Sequence, residues 1–195
     1  SVSLSEDGIR EWVEELAKDY DTEGTTRDFA ATRGELVQVS YVTYGTMLDT
    51  ETETAWLTQN FWEERGQHTQ PTLHVPAYLK EGYARGLDDI GDTYIEIDMT
   101  EQHLYYYADG ELALDTDIVT GNLSRKMGTP EGINFVYNKQ KNRVLRGPGY
   151  ASPVKFWRPV KGGIGIHDAS WRSEFGGEIY KKAAPTAASM WRRRI

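Results

Sequence analysis

From Thr93 onward the apolar residues recur with a period of two, which confines the second half of this chain to paired strands. Tyr94-Ile95-Glu96-Ile97-Asp98-Met99 alternates cleanly, as a half-buried strand does. Gln102 to Tyr107 and Leu112 to Val119 then flank Asp109-Gly110, a dipeptide that favours the left-handed backbone of a tight hairpin. A loop from Thr120-Gly121 runs through Asn122 to Met127 and on to Gly128-Thr129-Pro130-Glu131-Gly132. Ile133 to Tyr137 reads as a further strand, Lys139 to Arg146 as a charged connection, and Pro153 to Trp157 as another strand. The last strand, Gly162-Gly163-Ile164-Gly165-Ile166-His167-Asp168, alternates small and β-branched residues, so another backbone approaches it closely on one side. A short helix near residues 172–182 follows. Several strands at this spacing predict a sandwich or barrel-like sheet.

The first half reads differently. Ser3 and Glu6 form a capping box for a helix carrying Ile9, Trp12, Val13 and Leu16 on one face as far as Tyr20. Strand-like pieces occupy 28–30 and 36–42, and Tyr44-Gly45 marks a turn. Thr50 and Glu53 form a second capping box, opening a helix to about Glu64. Residues 66–92, rich in Pro, Gly and Asp, read as a last extended piece at Leu73 to Pro76 plus a linker. The charge changes at the same place: residues 1–91 carry a net −11 and residues 92–195 a net +3. The fold class is therefore α+β, a small α+β N-terminal domain before a mostly-β, sandwich-like C-terminal domain.

What the chain lacks is as informative. It has no cysteine, hence neither a disulfide framework nor a thiol nucleophile as written. No apolar run is long enough to cross a bilayer. The basic residues are scattered, so nucleic acid is not an expected partner. His68 and His74 stand six apart near prolines, but no carboxylate or thiol is spaced along the sequence to complete a metal site. No metal and no organic cofactor are expected. His103 alternates with tyrosines and reads as a structural or surface residue. Ser1 is not an initiator Met, so the chain reads as a processed or truncated piece that leaves room for a membrane anchor upstream.

Gly-Ile-Gly-Ile-His-Asp-Ala-x-Trp-Arg at 163–172, with Phe175-Gly176-Gly177 and Ile179-Tyr180 after it, resembles the first half of the L,D-transpeptidase (YkuD-like) active-site signature. The order of Ile95-x-Ile97-Asp98, Gln102-x-Leu104-Tyr105-x-Tyr107-x-Asp109-Gly110, Val119-Thr120-Gly121 and Thr129-Pro130-x-Gly132 matches the same pattern. The resemblance covers 93–182. More weakly, residues 1–91 resemble the peptidoglycan-binding companion domain that precedes such domains in bacterial wall enzymes. The second half of the signature, Ser/Thr-His-Gly-Cys-hydrophobic-Asn, is missing.

The genetic code offers a reason. Codons GCG GCT CCC ACG GCT GCG TCA ATG TGG are legal for Ala183 to Trp191, and after an AAG for Lys182 their shifted frame reads Gly-Gly-Ser-His-Gly-Cys-Val-Asn-Val. Its serine falls at Pro185, with 17 residues between it and His167, a spacing the family uses. A frameshift that replaced the true C-terminus is the expectation, with 183–195 a tail read from the wrong frame and 92–182 an incomplete catalytic domain.

The resemblance implies cysteine acyl transfer that cross-links the stem peptides of peptidoglycan in cell-wall synthesis, outside the cytoplasm. His167 would be the histidine that shifts the thiol toward thiolate, with the backbone carbonyl of Asp168 orienting its ring. Tyr150 and Trp157, on either side of a Gly/Pro-rich loop, would form a flap over the stem peptide or pack on the sheet. Ser170 and Arg172 would meet substrate, Arg172 through a carboxylate or merely a surface acid. As written, the chain is expected to be inactive. The alternative is a non-catalytic peptidoglycan-binding module or pseudoenzyme, and a carbohydrate-binding protein, resting only on the tyrosine count, ranks last.

Overall fold

The computed structural model describes residues 5–65, 74–86, 89–122, 128–147, 149–182 and 190–191. It divides into two compact units, Ser1–Thr25 with Tyr44–Asp89, and Thr26–Thr43 with Ile90–Ile195. This boundary differs from the division at residue 91 in one respect. The segment 26–43 groups with the second unit, because its side chains bond residues beyond 92.

In the first unit, helix α1 (Glu6–Tyr20) buries Ile9, Val13 and Ala17 against Leu48. Its cap is Ser5 rather than Ser3: the Ser5 hydroxyl accepts the Gly8 N–H at 3.1 Å. Helix α2 (Thr50–Arg65) is capped by Asp49, one residue before the expected Thr50. The Asp49 carboxylate accepts the Thr52 N–H at 3.0 Å and its hydroxyl at 2.9 Å, which holds that carboxyl below its usual range. Glu53 is thereby released from capping. It lies buried, with both oxygens 2.8 and 3.0 Å from His74 Nε2, and accepts the Ala77 N–H. The His74 ring stacks on Trp56 at 3.5 Å. The carboxylate partner that linear spacing withheld from His74 is thus supplied by the fold; His68 lies outside the described residues. The strand of this region is β4 (Tyr78–Lys80), later than the 73–76 piece, and it pairs with β3 (Met47–Leu48).

In the second unit, β1 (Thr26–Ala30) and β2 (Leu36–Ser40) form an antiparallel hairpin. Strands β5 (Tyr94–Asp98), β6 (His103–Ala108) and β7 (Glu111–Asp117) form a three-stranded antiparallel sheet. Its tight turn is Asp109-Gly110, both with positive φ, as the dipeptide predicts. One face carries Tyr94, Glu96 and Asp98, and the β1–β2 hairpin lies on it. Phe29 meets Tyr94 edge to face at 5.8 Å, Thr32 bonds Glu96, and Arg33 reaches Asp98 at 3.1 Å and Glu101 at 3.2 Å. Burial pushes the Asp98 carboxyl up, but the Glu101 and Thr100 N–H groups and Arg33 outweigh it and hold it below its ordinary value. On the opposite face Ile97, Leu104 and Tyr106 pack on Ile118 and on Ile166 of the second sheet.

That second sheet runs in the order β11-β10-β9-β8. It contains β8 (Gln140–Gly147), β9 (Tyr150–Lys161), β10 (Ile164–Asp168) and β11 (Met190–Trp191). Two expectations change here. The charged stretch is a strand, β8, whereas Ile133 to Tyr137 runs as a single extended segment with one bridge, Tyr41 to Ile133. Only α3 (Ile179–Lys182) of the expected 172–182 helix forms. The two facing sheets make the sandwich-like, mostly-β architecture read from the alternation.

Gln102 joins the sheets' connections. It is fully buried with φ 57°, its amide nitrogen donates to the Met99 carbonyl and the Thr120 hydroxyl, and its oxygen accepts the Thr120 N–H at 2.8 Å. Replacing it with leucine strands the Thr120 N–H and is expected to cost about 1–3 kcal/mol. A urea midpoint unchanged by Gln102→Leu would refute that role.

Candidate active site

The site is built on β10. Gly162, with φ 53°, turns the chain after β9, so the strand proper begins at Ile164 rather than Gly162. At Gly165 a side chain has no room: an added Cβ would stand 2.5 Å from the Arg158 carbonyl oxygen and 2.7 Å from the Pro159 Cα. That close approach is the one the alternation of small residues predicts. It lets β9 and β10 run together to His167, which faces Trp157 across the pair.

His167 is 0% exposed. Its Nδ1 lies 2.9 Å from the backbone carbonyl of Asp168. A carbonyl only accepts, so Nδ1 carries the proton and Nε2 is the basic nitrogen of the ring. Two indoles flank the imidazole, Trp157 with its centroid 5.8 Å away and Trp171 at 5.9 Å. The Asp168 side chain turns the other way. Its Oδ1 accepts the N–H groups of Lys155 and Phe156, each at 2.8 Å, which locks β9 to β10 beside the histidine.

The other residues singled out by sequence sit at varied distances from this centre. Trp157 is buried in mid-strand with Leu145 and Val154, and Tyr150 packs on the same cluster. Tyr150 also lies over Gly147, where any Cβ would strike its ring. Both aromatics belong to β9, so Trp157 is a fixed wall of the site and the packing alternative describes it better than a flap does. Ser170 is exposed on the turn that follows Asp168. Arg172 donates its backbone N–H to the Ala169 carbonyl at 3.1 Å, and its side chain is half-buried. Burial alone pulls its guanidinium below the ordinary value.

Sequence reasoning missed Trp171, whose indole is 40% exposed while touching the histidine's surroundings. Its place four residues after His167 in the same motif was the available signal. It also missed how the exit loop is held. The Gly176 N–H donates to the Ile118 carbonyl at 2.9 Å, and the Asn122 amide donates to the Lys181 carbonyl at 2.9 Å. The Gly121 N–H donates to Thr129, joining the Val-Thr-Gly and Thr-Pro-x-Gly segments.

Beyond α3, the backbone of β11 pairs in parallel with β10, Met190 opposite His167 and Trp191 opposite Asp168. Residues 183–189, where the expected frameshift falls, lie outside the described residues.

Comparison with known proteins agrees with this geometry. The family model for the L,D-transpeptidase catalytic domain matches residues 92–189. A crystal structure of a cysteine-to-serine mutant of Enterococcus faecium L,D-transpeptidase is 33% identical, with a TM-score of 0.79, covering 97% of this chain and 75% of that one. The carbamoyl enzyme formed by Ldtfm and avibactam is also 33% identical, with a TM-score of 0.78, covering 97% of this chain and 74% of its own. No curated protein matches the chain. By the family model and by identity over nearly its whole length, the chain belongs to the L,D-transpeptidase (YkuD) family.

Proposed function

We propose that this chain is a peptidoglycan L,D-transpeptidase whose nucleophile has been lost to a frameshift, and that it no longer transfers acyl groups. The observation that supports the ancestral chemistry is the 2.9 Å contact between His167 Nδ1 and the Asp168 carbonyl. It commits the tautomer and leaves Nε2 as the base, as a carboxylate does in a serine-protease triad. In the intact reading frame a cysteine stands at position 188, three residues after the serine that replaces Pro185.

In that form the thiol proton passes to Nε2 and the sulfur attacks the carbonyl between the third and fourth stem residues. The carbon–nitrogen bond breaks and the proton leaves with the amine of D-alanine. The side-chain amine of a second stem then attacks the thioester, a carbon–nitrogen bond forms as the carbon–sulfur bond breaks, and the amine's proton returns to the released sulfur through the imidazole. Backbone N–H groups of the Gly-Cys segment hold the oxyanion. Without cysteine no thioester forms, so the chain as written retains at most stem-peptide binding. Residues 1–91 act as its peptidoglycan-binding companion, and the protein works in the cell wall or outside the cell, where its substrate is.

The test is D-alanine release from stem tetrapeptides by this chain and by the chain with Ser-His-Gly-Cys restored. No release by the first and turnover by the second is expected. Release by the cysteine-free chain, or none by the restored one, refutes the reading. Sequencing the coding DNA across codons 180–195 checks the frameshift itself.

A further inference from the structure

We propose that Arg172 is the receptor for the C-terminal carboxylate of the stem peptide, the group that departs with D-alanine. The proposal rests on the stem-peptide reading above and specifies which part of the substrate this arginine recognises.

A guanidinium is always cationic, and withdrawing it from water without a partner is costly. Arg172 Nε is buried and makes no hydrogen bond among the described residues. The other arginines of known pairing are treated differently. Arg33 is shared among Glu35, Asp98 and Glu101, Arg10 pairs with Glu6, and Arg85 pairs with Glu81. No acid of the described residues pairs with Arg172, so among them the surface-acid alternative has no support.

Arg172 closes a turn onto Ala169, directly after the dipeptide whose carbonyl fixes the histidine. Trp171, beside it, borders His167 and is partly exposed. A stem peptide with its scissile carbonyl at His167 carries its terminal carboxylate one residue further on, about 3.8 Å of chain. That carboxylate is the sole charged group on an alanine, and the guanidinium fork matches it with two parallel hydrogen bonds.

Calorimetric titration of this chain with a synthetic stem tetrapeptide tests the assignment. The peptide is supplied as the free acid, as the C-terminal amide, and as a free acid with its glutamyl carboxylate amidated instead. The amide at the C-terminus is expected to weaken binding about tenfold or more, and the glutamyl amide to leave it unchanged. Arg172→Gln should bind the free acid no better than the amide, and Arg172→Lys should restore part of the preference. Equal binding of acid and C-terminal amide by the unaltered chain, a preference that follows the glutamyl carboxylate, or a preference that survives in Arg172→Gln would overturn the role of Arg172 and leave stem binding standing. Failure of every peptide to bind would remove the stem-peptide reading with it. The comparison of acid and amide needs no substitution, so it holds even where a variant folds poorly.

Discussion

Glutamine in place of His167, introduced into the chain with its reading frame restored, is expected to slow D-alanine release about 10²- to 10⁴-fold. The reasoning is local. The Asp168 carbonyl accepts from Nδ1, and a glutamine amide can still donate there, so the strand keeps its bond while the base is lost. Far-ultraviolet dichroism should be unchanged. A variant that keeps its rate would show that the thiolate forms without this ring.

The second large effect is structural. Gly165→Val should destabilise the second unit by about 3 kcal/mol or more, because the new side chain meets main-chain atoms of Arg158 and Pro159 rather than a movable side chain. Gly163→Ala is the internal control. Nothing lies within 4 Å of its added Cβ, so its midpoint in urea should stay within about 0.5 kcal/mol of the parent. Equal midpoints for the two variants would mean that the β9–β10 approach is looser than described.

These residues also show what a linear reading can and cannot recover. Asp109-Gly110 announced its hairpin because the dipeptide itself prefers the backbone the turn requires. His167 was legible through its motif, and the glycine alternation before it through sterics. Strand β8 was not. Gln140 to Arg146 is mostly exposed and lies at the end of its sheet, where charged residues discourage pairing with other chains, so it carries the signature of a loop. The opposite error befell Ile133 to Tyr137, which alternates like a strand yet leaves Phe135 and Tyr137 each 52% exposed. Glu53 with His74, and Gln102 with Thr120, are 21 and 18 residues apart, and no local pattern foretells such pairs. The capping boxes misled because the oxygens that accept the first-turn N–H groups of Gly8 and Thr52 belong to Ser5 and Asp49, and Ser3 lies outside the described residues.

The hairpin formed by residues 26–43 has a practical bearing on how this protein can be dissected. A fragment cut to the family match would begin at Asp92 and discard it. Such a fragment would bare the ring of Tyr94 and leave Glu96, Asp98 and Glu101 without Thr32 and Arg33, a cluster of like charge on an uncovered sheet. The autonomous piece is therefore an interrupted one, and a faithful excision must splice the early loop onto the later strands rather than simply trim the front.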